Sequence, residues 1–106
     1  MSKYLLKASY TTEGVKGVLS GGGTARREAV QQTVEGLGGS LESFHFAFGD
    51  TDAYVIVDLP DNTTAAAISL VVNAAGGAQV ETVPLLTPEE ADEATKKSVG
   101  YRPPGA

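Results

Sequence analysis

Between Ser43 and Pro60, apolar and polar positions alternate in two runs separated by an acidic turn. In the first run Phe44, Phe46 and Phe48 share one side, opposite Ser43, His45 and Ala47. In the second, Ala53, Val55, Val57 and Leu59 share one side, opposite Asp52, Tyr54, Ile56 and Asp58. A period of two marks strands, so this stretch predicts a hairpin with Gly49 to Asp52 as its turn. The phenylalanine side and the aliphatic side are expected to form core against helices. Lys3 to Tyr10 alternates in the same way, with Tyr4, Leu6, Ala8 and Tyr10 opposite Leu5, Lys7 and Ser9. Ala78 to Leu86 is the fourth predicted strand.

The spacing elsewhere is helical. Ala29, Val30, Val34 and Leu37 form one stripe, and Thr24 is the expected N-cap of a helix that ends at Gly38-Gly39. Ile68, Val71, Val72 and Ala75 form a second stripe, in a helix from about Thr63 to Ala75 that stops at Gly76-Gly77. Thr87-Pro88-Glu89-Glu90 is a third start signal: a threonine cap, a proline at the first helical position and a glutamate that completes a capping box. That helix is expected to reach about Lys97. Thr11 to Gly23 reads as a loop with room for one short helical turn at Val15 to Leu19, because Ser20-Gly21-Gly22-Gly23 is too flexible to extend it.

The order is strand, helix, strand, strand, helix, strand, terminal helix. It predicts an α+β, ferredoxin-like βαββαβ fold with a four-stranded antiparallel sheet and an added C-terminal helix. Two amphipathic helices cover one side of such a sheet. Leu5, Tyr54, Ile56 and part of the fourth strand would stay exposed on the other. An apolar patch of that size is unusual on a soluble monomer, so a homodimer formed by sheet-to-sheet packing is expected.

Totals narrow the function. The 106 residues make one domain, with 42% hydrophobic and 20% charged residues. A net charge of −5 argues against nucleic acid and anionic membrane as partners. With no cysteine and one histidine, disulfides, thiolate metal sites and multi-histidine metal sites in one chain are excluded. No metal or cofactor is expected. The start, Met1-Ser2-Lys3-Tyr4, has no signal-peptide apolar region, and no run is long enough for a membrane span, so a cytoplasmic location is the expectation.

The candidate chemistry lies on the sheet side facing away from the helices. Lys7, His45, Asp52 and Tyr54 could share a pocket there: a cation, an acid or base, a carboxylate to orient it, and a phenol donor. That set suits proton transfer, or binding of a small organic acid or phenol. Ser9, Tyr10, Arg26 and Asp58 are added as ligand-binding candidates, with Tyr10 and Arg26 near the mouth. Tyr101 in the tail could close the cleft across a dimer. The same groups also suit a semi-polar sheet face at a subunit contact, where they satisfy one another. Ser20 to Arg27 offers helix-start amides and two arginines, but it lacks the Gly-Lys-Ser/Thr of a P-loop and reads better as a flexible loop with a solvated helix face.

Several segments resemble the GYD-domain family: Lys7 to Thr11, Gly14 to Leu19, Gly22 to Arg27, Leu37-Gly38-Gly39, Phe48 to Val57 and Leu85 to Glu90. The resemblance covers nearly the whole chain in order. It implies a GYD-like domain over residues 1–97, an extended tail over 98–106, and membership of the dimeric α/β-barrel group, which includes small monooxygenases, isomerases and dechlorinating enzymes. The chain departs from the pattern at the eponymous turn, which reads Gly49-Asp50-Thr51-Asp52 without its tyrosine. His45 also stands where relatives are expected to carry tyrosine. Two functional classes follow: a homodimeric protein with a small-molecule cleft beside the intersubunit sheet, or a non-catalytic assembly or regulatory module whose sheet face serves only to pair subunits.

Overall fold

The computed structural model describes residues 1–105. Its elements are β1 (Ser2–Tyr10), α1 (Thr12–Gly21), α2 (Gly23–Gly36), β2 (Ser40–Phe46), β3 (Ala53–Leu59), α3 (Asn62–Ala75), β4 (Ala78–Leu85) and α4 (Pro88–Thr95). The four strands form one antiparallel sheet in the order β2-β3-β1-β4. This is the ferredoxin-like α+β arrangement expected from the alternation.

One face of the sheet makes the core. Ala53, Val55, Val57 and Leu59 of β3 are buried, as are Tyr4 and Leu6 of β1. Val34 of α2 and Ala65 and Ile68 of α3 close over them. Burying a side chain of the size of Leu59 or Val57 contributes about 1.5–3 kcal/mol. Tyr4 carries a hydroxyl into this core, and it donates to Asn62 Oδ1 at 2.5 Å in the first turn of α3. The helix that follows β3 is thus tied to the central strand at its first residue.

The helix starts follow their capping residues. Asp61 accepts the Thr64 N–H at 2.8 Å and caps α3. Thr87 and Glu90 form the capping box of α4. Gly76 ends α3 at φ +82°, a left-handed position that glycine takes at little cost.

Three expectations are corrected. The segment expected as a loop is the ten-residue helix α1. Its three glycines lower helix propensity, but tertiary bonds hold its start: Thr11 Oγ1 donates to Gly76 O at 2.8 Å, and Thr11 N donates to Gly77 O at 3.1 Å. Gly14 allows this approach, since a Cβ there would lie 1.8 Å from Gly77 O. Thr24 is not a cap: the N-cap of α2 lies two residues earlier, at Gly22, with no side-chain cap bond. The phenylalanine side is not all core. Phe44 is half-buried and Phe46 is 43% exposed, while Phe48 lies beyond the end of β2 and is fully exposed.

The opposite face of the sheet carries no helix. α4 ends at Thr95, and every residue from Leu86 to Gly105 is exposed. The radius of gyration, 16.7 Å, exceeds the roughly 13 Å of a compact chain of this length, because α4 and the tail extend from the domain. The two outer strands are irregular. β2 has a register shift between Leu41 and Ser43, and β4 carries Pro84 opposite Tyr4.

Candidate functional site

Strand register places three of the candidate residues in one row on the open face. His45 of β2 pairs with Tyr54 of β3, which pairs with Lys7 of β1. Lys7 in turn stands opposite Glu81 of β4, with Nζ 4.0 Å from Oε2. His45 and Tyr54 are both exposed. The next row is apolar, with Ile56, Leu5 and Val83 side by side. Beyond it lies a third, charged row. Lys3 Nζ reaches Glu42 Oε1 at 2.5 Å and Asp58 Oδ1 at 3.1 Å. The hydrogen bond that the Lys3 ammonium donates to Glu42, then the one it donates to Asp58, raises it above the usual lysine range. Asp58 is therefore held by a lysine some distance along the strand from His45, rather than beside it.

Asp52 takes a different role. Its Oδ2 accepts the backbone N–H of Tyr10 at 2.8 Å. Its own N–H donates to Ala8 O at 2.8 Å, and its carbonyl accepts from Ala47 N at 2.7 Å. The residue thus pins the hairpin turn to the end of β1. Ser9 joins the same junction, donating from Oγ to Asp50 O at 2.7 Å.

Tyr10 and Arg26 lie on the other side of the sheet. α2 rests on β2, and α3 rests on β4 and β3. Between the two helices is a cavity of about 110 Å³ whose floor includes Leu6, Phe44 and Val55 and whose sides include Val30 and Val72. Tyr10, Arg26 and Thr33 line this chamber, and the same three residues line a wider cleft of about 460 Å³ that continues toward α1 and Gly77. The Tyr10 ring also stacks at a tilt on Phe46, with centroids 6.4 Å apart. Arg26 forms no ion pair among the described residues.

The nine candidates therefore divide. Lys7, His45 and Tyr54 meet on the open face, Asp52 and Ser9 build a turn, Asp58 belongs to a lysine cluster, and Tyr10 and Arg26 flank the inter-helix chamber. Tyr101 is exposed in the tail and makes no hydrogen bond among the described residues. Of the chamber walls, Val30 and Val72 belong to the two helix stripes expected from the spacing, and only Thr33 lies outside them. A signal for the chamber was available: the inward positions of α2 and α3 are short side chains, among them Ala29, Val30, Ala65 and Val72, which cannot fill the space above a twisted sheet. Among the described residues no cluster of three or more His, Asp or Glu side chains could hold a metal ion, and no helix is long and apolar enough to cross a membrane.

The strand order and the single helical layer define a ferredoxin-like α+β domain. Within that class, the model of the GYD domain matches residues 4–95, and the chain belongs to the GYD domain family. Neither the curated proteins nor the solved structures contain a match to it.

Proposed function

We propose that the protein is a homodimer that pairs its open sheet faces and handles a small molecule in a cleft at the edge of that contact. The observation that carries this reading is the Leu5, Ile56 and Val83 row, which no helix among the described residues covers. A second copy of the same face would bury it, and a two-fold pairing closes after two copies. The row of His45, Tyr54 and Lys7 then lies beside the apolar contact. It offers an imidazole, a phenol and an ammonium to a small acid or phenol, as a binding site or for proton transfer. Asp52 supports that row from behind, through the turn. Tyr101, on a tail long enough to extend from the domain, would reach the partner's cleft.

The second reading is an assembly or regulatory module with no chemistry of its own. The Lys3, Glu42 and Asp58 cluster favours it, because polar groups on this face satisfy one another there.

Sedimentation equilibrium at micromolar concentration tests the pairing. The expected result is a dimer for the native chain and a folded monomer for Ile56→Lys. A native monomer overturns the proposal. The two readings separate on the ring titration of His45 in the dimer. A shift on adding benzoate or phenol supports the ligand cleft, and an unchanged titration supports the assembly module.

A further inference from the structure

We infer that the chamber between α2 and α3 is a second ligand site, contained within one subunit, that takes a small monocarboxylate with an apolar tail. It goes beyond the sheet-face reading, since it needs no partner chain and uses the opposite side of the sheet.

The chamber is apolar, and its volume of about 110 Å³ is many times what one water occupies. Enclosed apolar cavities accept hydrocarbon, and one of roughly 150 Å³ takes benzene; this chamber differs in opening to the outer cleft. A tail of about four to six carbons therefore matches the space. The polar groups are not scattered around it. Tyr10, Arg26 and Thr33 sit where the chamber joins the outer cleft, lining both. A molecule whose tail lies on Leu6, Val55 and Val72 would bring its head group to these three.

The chemistry at the junction selects an anion. Arg26 has a planar fork of donors that matches a carboxylate, and no acidic side chain of the described residues is paired with it. Tyr10 adds a phenolic donor. The Thr33 hydroxyl already donates its proton to Ala29 O at 3.0 Å, so it has none for the head group and its role is to shape the mouth. In a chain of net charge −5, an unpaired arginine at the entrance of an apolar chamber is a local match to a negative head on a greasy body. The outer cleft, with glycines 14, 17 and 77 along it, gives that head a path to solvent.

The test uses hexanoate and its neutral counterpart 1-hexanol, titrated into the full chain and followed by methyl NMR of Val30, Val72 and Val80. Hexanoate is expected to shift these methyls saturably. Arg26→Gln should weaken hexanoate at least about tenfold, the usual scale for a charged hydrogen bond, and leave 1-hexanol unchanged. Val72→Phe should fill the chamber and remove both. Ile56→Lys should keep hexanoate binding, which separates this site from the sheet-face pairing. No saturable shift of these methyls at millimolar hexanoate overturns the inference. So does hexanoate binding that survives Val72→Phe, or binding that Arg26→Gln leaves untouched.

Discussion

The carboxylate of Asp52 accepts the backbone N–H of Tyr10 across 42 positions of sequence, at 2.8 Å. Tyr10 is the last residue of β1, where the strand's hydrogen-bond ladder with β3 has already ended at Ala8 and Ala53. Without Asp52 that amide has no strand partner on the hairpin side. Asp52, the carboxylate expected to orient an acid or base, therefore holds the turn, and through Tyr10 it also fixes a wall of the inter-helix chamber.

Asp52→Ala should lower stability by about 1.5–3 kcal/mol, the range for a hydrogen bond to a charged group. Asp52→Asn keeps an acceptor and should lose less. Urea denaturation of the three proteins gives the order native, Asn, Ala. An alanine variant as stable as the native chain would contradict the structural role.

Two glycines of α1 should respond in opposite directions. Gly14→Ala forces a methyl to within 1.8 Å of Gly77 O and should cost about 1–3 kcal/mol, as overpacking does. Gly17 has no atom within 4 Å of the same position, and Gly17→Ala should gain roughly 0.5–1 kcal/mol by helix propensity. Thermal unfolding followed by circular dichroism reads both signs.

Thr82 faces the helix side opposite Leu6, and its Oγ1 is buried without a hydrogen-bond partner. Thr82→Val keeps the shape and removes the stranded hydroxyl. Stability should rise by about 1 kcal/mol. A fall in the urea midpoint would mean that the hydroxyl has a partner in solution.

Asp61 makes stability depend on pH at the acid end. The Thr64 N–H, and then the Thr64 hydroxyl, hold its carboxyl below the ordinary aspartate value. A group lowered in this way binds protons more readily in the unfolded chain. Its contribution is therefore complete above about pH 4 and is lost as pH falls through the folded value. The stability gap between the native chain and Asp61→Asn should be constant from neutral pH down to about pH 4 and close below it. A gap that widens on acidification would reverse the assignment.

The strands were legible because alternation is local. Ala53 to Leu59 alone decides which face is core, and all four of its core-side residues are buried. The cap of α4 was legible for the same reason, since Thr87 and Glu90 act within three residues. α1 was not legible. Its start depends on carbonyls of Gly76 and Gly77, 65 and 66 residues away, and three glycines hide it from propensity. The site was legible only as faces. Alternation separates Lys7 and Tyr54 from Leu6 and Val55, but it does not say that Asp52 turns to an amide. Nor does it reveal a space left between two helices, which depends on their separation rather than on either sequence stripe.

A sheet with two uncovered edges is a template for copies of itself. Here each edge is spoiled in its own way. Along β2 the register breaks between Leu41 and Ser43, so an incoming strand would fall out of step halfway. Along β4, Pro84 has no N–H to offer, and a strand laid there loses a rung. End-to-end growth into ribbons is disfavoured at both sides, and the face-to-face pairing proposed above uses neither edge. Under that proposed pairing, contact through a face saturates at two, so crowding this chain should produce a limit in size rather than a fibre.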